Sequence, residues 1–534
     1  MRTLYTFITA IVLSLNSFGQ DSFNFSVTLE PVIISDLPGL HSYALAQHDG
    51  KWLVIGGRLD GMHAKHPFSS FPSSQNNTDI YVIDVDAQQF WSASLNTLPT
   101  GIYEQLQSTN MNFYQDNDTL YIIGGYGFSF TADNHITFPN LTTVQVSDVI
   151  DAVISETSFV SYFKQISDPL FAVTGGQLGK INHTFYLVGG HRFDGLYNPV
   201  GNPTFTQTYT NQIRKFTIQN SGSGLSFSNL PSITDPLHLR RRDYNLLPQI
   251  FPDGEEGYTL SSGAFQPNAD LPFLYPVDIT ESGYWPITEF NQYLSNYHSA
   301  KASLFDNTAN NMHMLFFGGM SQYYYEDGNL IQDDQVPFVK TISRLTRYSD
   351  GSLQEYQLPI EMPGLKGASA EFIPNLLQPH YDSEIIKLDQ ITEDTILIGH
   401  IYGGIVSPTL NPFMDNVTST TAADPTIYRV KLIRAIPDGV EAINGANPFD
   451  LNVYPNPVAS EIVLNLNMDR TSDIYYFISG IDGRILQEGT LDAMQQGITH
   501  SRKIELSEGI KPQVLILTVV VDNKYYLTRK IIKN

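Results

Sequence analysis

Basic residues and histidines recur in this chain where the sequence predicts that β-strands begin. Arg240, Arg241 and Arg242 are consecutive, although the protein carries a formal net charge of −24. Strand geometry points alternate members of such a run to one side, and converging Arg, His and Lys side chains bind a carboxylate or phosphate well. The residues predicted to share such an anion site are His41, Arg241, Arg242, His298 and Lys366. Two plainer interpretations stay open: the side chains are simply hydrated, or they pair with nearby Asp and Glu.

Specific catalytic motifs are absent from the sequence. It contains no Gly-x-Ser-x-Gly, no His-Glu-x-x-His, no P-loop and no Gly-x-Gly-x-x-Gly. Asp243 or His298 could act as a general base, but no pattern places either beside a substrate. Without any cysteine, disulfides and thiolate metal sites are excluded. We predict no metal and no other cofactor.

A short apolar strand ending in two glycines is repeated along the chain. The first glycines of four copies are separated by 68 residues (56 to 124), 65 (124 to 189) and 129 (189 to 318). A strand buried on both faces loses polar alternation, and the glycines permit positive φ and close backbone approach. Degenerate copies occupy Gly257–Gly263 and Thr395–Gly404. The spacing predicts six repeats of one β-sheet unit.

The repeat resembles the kelch family of β-propellers, whose blades carry a Gly-Gly pair with spaced Tyr and Trp. Tyr81 and Trp91 in the first unit align without a gap on Tyr275 and Trp285 in the fourth. The resemblance implies an all-β, six-bladed kelch-like propeller over residues 20–436, with an N-terminal strand (residues 24–36) closing the last blade. Because the units exceed the roughly 50 residues of a kelch repeat, the surplus is expected in loops. These loops, rich in aromatic residues, either bind sugar rings or pack on one another; they are 58–77, 126–141, 191–210 and 320–338.

The two ends of the chain predict export. Residues 1–19 have the positive start, short apolar run and small residues of a signal peptide. After a linker at 437–449, residues 450–534 predict a small antiparallel β-sandwich. This domain resembles the C-terminal sorting domain of the type IX secretion system of Bacteroidota, which implies secretion or attachment at the cell surface and the secretion machinery as a partner. The residues that carry the resemblance are Tyr454, Pro455, Asn456, Pro457, Asp482, Gly483 and Arg484.

Composition restricts the remaining functions. With 30 basic and 54 acidic residues, nucleic acid and anionic membrane surfaces are disfavoured as general partners, and no segment reaches transmembrane length. Two function classes stay open, and the favoured one is an exported module that binds a glycan or another protein. The alternative is a sugar-acid enzyme resembling the kelch-type sialic acid epimerases. Galactose oxidase chemistry is excluded, because that family's copper cofactor needs a Cys–Tyr crosslink.

Overall fold

The computed structural model describes residues 23–534 except 67–68, 201–202, 223, 436–438 and 495–498. The predicted signal peptide at 1–19 therefore lies outside the described residues. The described chain is built almost entirely from antiparallel sheets, which confirms the all-β class. Its two α-helices are Thr100–Leu106 and Val146–Ile154. No helix in the described ranges is long and apolar enough to cross a membrane.

Six sheets follow one another along the chain, and each contains a four-stranded antiparallel path. The first sheet consists of Ala44–His48, Lys51–Ile55, Asp79–Asp84 and Gln89–Ser94. The second consists of Asn112–Asp116, Thr119–Ile123, Asn140–Gln145 and Phe163–Ser167. The third consists of Gln177–Ile181, Thr184–Val188, Gln212–Ser221 and Gly224–Thr234.

The remaining three sheets have the same order, and the last takes a strand from the N-terminus. The fourth consists of Asn245–Ile250, Glu256–Ser261, Val277–Ile279 and Tyr284–Pro286. The fifth consists of Ala300–Asp306, Asn311–Phe317, Thr341–Arg347 and Leu353–Glu361, flanked by Ile386–Lys387 and Glu441–Ile443. The sixth consists of Leu365–Pro374, Thr395–Ser407, Ile427–Arg434 and Phe25–Val32, with Ala422–Ala423 added.

Three two-stranded hairpins extend from the connections that follow the Gly-Gly pairs. They pair Tyr126–Ser129 with Asn134–Thr137, His191–Gly195 with Phe205–Tyr209, and Tyr323–Glu326 with Asn329–Gln332. Gly124 shows why glycine is needed at the pairs. It adopts φ +68°, and a Cβ there would lie 1.8 Å from the carbonyl oxygen of Val173. The pair therefore allows one sheet to approach the backbone of the next.

The first strands of consecutive sheets contact one another, and the side-chain amide of Gln47 in the first sheet donates to the carbonyl of Pro374 in the sixth. Six backbone hydrogen bonds form a closed ring that joins the six sheets. The ring takes one residue from the first strand of each sheet or from the segment just before it, and we call it the hydrogen-bonded ring. Its bonds are Ser42 N to Ser369 O (3.2 Å), Ser369 N to His298 O (2.9 Å), His298 N to Asp243 O (2.8 Å), Asp243 N to Gly175 O (2.8 Å), Gly175 N to Asn110 O (3.2 Å) and Asn110 N to Ser42 O (3.1 Å).

The C-terminal domain forms two antiparallel sheets around one apolar core. One sheet contains Leu451–Tyr454, Glu461–Asn467 and Thr499–Glu505, and the other contains Ile485–Met494, Ser472–Gly480, Gln513–Val521 and Tyr525–Lys533. Phe477, Val520 and Tyr526 of this domain join a core cluster of the third and fourth sheets. The segment predicted to be a linker contributes Glu441–Ile443 as an edge strand of the fifth sheet.

Glu355, next to that edge strand, gives the fold an expected pH dependence. Its carboxylate is fully buried and accepts the backbone N–H groups of Tyr293 and Leu294 at 2.8 and 3.1 Å. Burial raises the pKa of Glu355 to about 8, because it outweighs these two hydrogen bonds. In the unfolded chain the pKa of a glutamate is about 4.3. Between the two values the folded state binds more protons, so the free energy of unfolding falls as pH rises, by at most about 1.4 kcal/mol per pH unit.

Urea unfolding between pH 5 and 8 measures this slope. We expect Glu355→Gln to flatten it, because glutamine cannot lose a proton, whereas Glu326→Gln on an exposed hairpin leaves the slope unchanged. Equal slopes for the unmodified protein and Glu355→Gln would contradict the assignment.

Candidate functional site

A polar cavity of about 230 Å³ lies among the first strands of the six sheets. Each of the six sheets contributes residues to its lining. Five of the six residues of the hydrogen-bonded ring border one end of the cavity. From the ring the cavity follows the strands to Gln47, Gln115 and Pro374 near their far ends. Cavities of drug-sized ligands occupy roughly 300–1,000 Å³. This one is therefore suited to a single small molecule.

His298, Lys301 and Glu371 form a charged cluster on the cavity wall. Glu371 Oε1 lies 3.1 Å from His298 Nε2, and Glu371 Oε2 lies 3.8 Å from Lys301 Nζ. Burial alone would raise the pKa of Glu371, but His298 and Lys301 outweigh burial and hold it below its usual value. Burial lowers the pKa of Lys301, and Glu371 only partly compensates. The cluster keeps a carboxylate ionised beside two nitrogen bases, an arrangement that can bind hydroxyl groups or transfer a proton.

Glu384 faces the same cavity from a different element. It follows the sixth sheet's first strand, in the segment whose Ile386–Lys387 pairs in parallel with Ala300–Asp306 of the fifth sheet. Its carboxylate is exposed to the cavity and has no hydrogen bond or ion pair with any described residue. Desolvation raises the pKa of Glu384, with a smaller opposing effect of His380. Tyr114 and Tyr258 line the same cavity, the hydroxyl of Tyr258 is bonded to the Lys180 backbone, and burial is the chief cause that raises the pKa values of both phenols.

Several polar atoms of the lining have no partner among the described residues. The amide of Asn112 donates to the carbonyls of Ile123 and Val173, which leaves its Oδ1 without a donor. The hydroxyls of Ser303 and Ser383 have no hydrogen-bond partner either. Asn112 and Ser303 are 1% and 7% exposed. Leaving such groups unsatisfied costs about 1–3 kcal/mol each, and because these atoms have almost no accessible surface, they are a cost to the fold rather than contacts offered to a ligand.

Arg241, one of the residues predicted to bind an anion, lies inside the fourth sheet rather than at the cavity. It is fully buried, and its guanidinium donates to the carbonyls of His238, Ser262 and Tyr275 at 2.7–2.9 Å. The same group stacks on the ring of Phe273 at 4.2 Å. Its Nε and Nη1 atoms donate to backbone carbonyls and its Nη2 is buried without a partner, and Arg241 does not line the cavity.

Of the four other residues predicted to bind an anion, only His298 lines the cavity, together with Asp243, the other residue considered as a general base. Arg242 pairs with Asp243 at 2.6 Å and donates to the hydroxyl of Tyr209. Lys366 donates to Asp424 and Tyr428 at 2.7 and 2.8 Å. The imidazole of His41 is buried between Ser42 and Asp60. The structure therefore does not bring the five residues together around one ligand, and each cation already has a protein partner.

The aromatic loops largely pack on one another. His63 stacks on Phe71 with ring centroids 4.7 Å apart, and Phe193 stacks on Phe205 at 4.6 Å. In the Tyr323-Tyr324-Tyr325 run, Tyr323 is buried against Tyr293. These contacts favour the interpretation in which the loops stabilise one face of the molecule. They leave the cavity as the stronger candidate for ligand binding.

The residues that resemble a sorting motif lie in two places in the C-terminal region, at the end of the strand Leu451–Tyr454 and in the turn that contains Gly483. The side chain of Asn456 donates to the carbonyl of Lys530 and accepts the N–H of Ile532, both at 2.9 Å, which joins the Tyr454–Pro457 opening to the last strand. Asp482 and Arg484 are exposed, whereas Gly483 is buried. A Cβ at Gly483 would lie 2.0 Å from the carbonyl oxygen of Thr234 in the third sheet. The turn therefore packs directly against the preceding domain.

Comparisons with known proteins give little guidance. No protein-family model matches the chain, and no curated protein matches it. Among solved structures, one described as "Structure of YjhT" is similar over 74% of this chain and 97% of that chain, with 11% sequence identity and a TM-score of 0.40. This structural similarity is weak. Within the described residues, no group of three or more His, Asp or Glu side chains could hold a metal ion.

Proposed function

We propose that the protein is an exported six-bladed, kelch-like β-propeller that binds a single sugar unit in its central cavity. The hydrogen-bonded ring supports this arrangement, because it takes one residue from each of six sheets and returns to its start. The observation that carries the binding function is the cavity beside the ring, whose wall holds Glu371 with His298 and Lys301. A sugar presents many hydroxyls, and these can donate to the carboxylate and accept from the nitrogen groups.

The charges of the lining favour a ligand without a carboxylate. Asp243 is neutralised by Arg242, and Glu371 lies between Lys301 and His298. Glu384 has no such cation. A sugar acid would add a second uncompensated carboxylate to this cavity, where desolvation and repulsion both oppose binding. Neutral or cationic sugars are therefore the preferred class.

Titration calorimetry of the protein with a monosaccharide panel tests the proposal, with neutral, amino and acidic sugars included. We expect Ser303→Leu, which fills the cavity, to weaken binding of the best sugar at least tenfold. Ser228→Leu, on an exposed outer strand of the third sheet, serves as the matched control. Binding that survives Ser303→Leu would move the site to the aromatic loops. Absence of binding by every sugar would favour a protein partner instead.

The sugar-acid enzyme is a second candidate, favoured by the 3.1 Å approach of His298 and Glu371 on the cavity wall. Such a pair could accept and return a proton at a sugar carbon. If this candidate is right, the protein turns over a sialic or uronic acid, which proton NMR can monitor. His298→Gln should abolish this turnover. A protein that binds sugars but exchanges no proton with solvent deuterium would leave binding as the function.

Export through a type IX secretion system is also part of the proposal. It is supported by the resemblance at Tyr454–Pro457 and Asp482–Arg484 and by the compact C-terminal domain that carries both motifs. The proposal implies that the propeller reaches the medium or the cell surface. Fractionation of producing cells tests it: with residues 450–534 deleted, the protein should accumulate in the periplasm rather than outside.

A further inference from the structure

Lys301 differs from the other two lysines on the first strands of the six sheets. Lys180 and Lys366 each donate a hydrogen bond to a nearby carboxylate. Among the described residues, Lys301 forms an ion pair only with Glu371, and the 3.8 Å between Nζ and Oε2 is too long for a hydrogen bond. That carboxylate lies closer to His298, at 3.1 Å. The amine of Lys301 therefore has a hydrogen-bonding capacity that the protein itself does not use.

The side chain of Lys301 lies where a small molecule can reach it. Its neighbours Ala300 and Ala302 belong to the apolar core, and the alternation of a strand directs Lys301 to the other side, where it lines the cavity of about 230 Å³. The side chain keeps 15% of its surface exposed. Glu384 lines the same cavity and is exposed to solvent, so the cavity opens to the outside. Lys301 is thus largely shielded from bulk water and still accessible.

We propose that Lys301 forms an imine with the carbonyl group of a small hydroxylated ligand, such as the open-chain form of a sugar. This inference rests on the proposed function, because it assigns a covalent step to the same cavity and names an aldehyde or ketone as the reacting form of the ligand. A lysine amine that is held away from water is a nucleophile toward carbonyl groups. The proposal therefore predicts a covalent adduct at one lysine.

Imine formation at Lys301 needs neither an oxidant nor a reductant. The lone pair of Nζ adds to the carbonyl carbon, and the carbonyl oxygen leaves as water with the two amine protons, so that a C=N bond replaces the C=O bond. Glu371, 3.8 Å from Nζ, can accept the first proton, and Glu371 or the adjacent His298 can return it to the departing oxygen. Burial lowers the pKa of Lys301, which makes the unprotonated amine more abundant near neutral pH.

Reductive trapping on the full chain tests the inference. The protein is incubated near neutral pH with glyceraldehyde or ribose and with sodium cyanoborohydride, which reduces an imine to a stable amine, and peptide mass spectrometry locates the modified lysines. We expect Lys301 to be modified at least about tenfold faster than Lys340, an exposed lysine before the third strand of the same sheet, because a desolvated amine is the better nucleophile. Methyl riboside keeps the ring hydroxyls but has no free carbonyl, so it should leave no adduct.

The possible outcomes separate this inference from the proposed function. Modification of Lys301 that is no faster than that of Lys340 would overturn the imine and leave sugar binding intact. Ser303→Leu, which fills the cavity, should slow modification of Lys301 but not of Lys340, and Ser228→Leu should slow neither. Rapid modification of Lys301 that persists in Ser303→Leu would also overturn the inference, because the amine would be reached from outside the cavity. Rapid, cavity-dependent modification by glyceraldehyde, with no sugar bound in calorimetry, would support the imine and overturn the proposed sugar binding.

Discussion

Arg241→Ala is expected to lower the free energy of unfolding by about 3–5 kcal/mol, because it removes several buried hydrogen bonds from a charged group, each of which contributes about 1.5–3 kcal/mol. Truncation leaves the carbonyls of His238, Ser262 and Tyr275 without their donors and opens a cavity beside the Phe273 ring. Chemical denaturation followed by tryptophan fluorescence or circular dichroism measures the change. Arg241→Lys should be intermediate, because lysine keeps the charge but not the planar fork of donors.

Arg192→Ala is the matched control for this prediction. Arg192 pairs with a carboxylate, at 2.6 Å from Asp194, and its side chain is 56% exposed. Exposed pairs contribute about 0–1 kcal/mol, so the control should barely change stability. If Arg241→Ala kept full stability and lost sugar binding, the interpretation that Arg241 only stabilises the fold would be wrong. Arg241 would then be a ligand-binding residue.

Tyr526→Ala is expected to cost about 3–5 kcal/mol, the usual effect of deleting a large buried aromatic side chain. Tyr526 belongs to the C-terminal domain but is only 2% exposed, with its ring 4.9 Å from that of Tyr275 in the fourth sheet. Its hydroxyl donates to Gln266 at 3.1 Å. The fourth sheet has outer strands of only three residues each, so it depends on this contact for part of its core.

Denaturation of the full chain measures this effect, and two further variants apportion it. Tyr526→Phe removes only the hydrogen bond to Gln266 and should cost about 1 kcal/mol. Tyr454→Ala, at a tyrosine that is 47% exposed in the same domain, should change stability by less than about 0.5 kcal/mol. Equal stabilities of Tyr526→Ala and Tyr454→Ala would show that the two domains do not stabilise each other.

The strands were largely predictable because their signals are local. Apolar runs ending in glycine pairs mark the second strand of most sheets, and Gly124 needs both its positive φ and its missing side chain. The small helix Val146–Ile154 and the edge strand Glu441–Ile443 were not anticipated. Both are set by tertiary packing: the helix packs on the first sheet, and the edge strand pairs with Leu353–Glu361 of the fifth.

The candidate site was less predictable than the strands. A run of three arginines suggested an anion site, but the direction of each side chain depends on the turn that precedes the strand, and Arg241 points into the sheet. A usable signal existed at Ala300–Leu304, where Lys301 and Ser303 alternate with apolar residues. Glu384 carried no such signal, because it reaches the cavity from a segment that crosses from the sixth sheet to the fifth.

The hydrogen-bonded ring couples the six sheets at the end where their first strands begin. Each of its residues donates one backbone hydrogen bond to one neighbour and accepts one from the other neighbour. Displacement of any one of these segments therefore breaks bonds to two adjoining sheets. Local opening at this end of the molecule should accordingly be cooperative, involving several sheets at once rather than one.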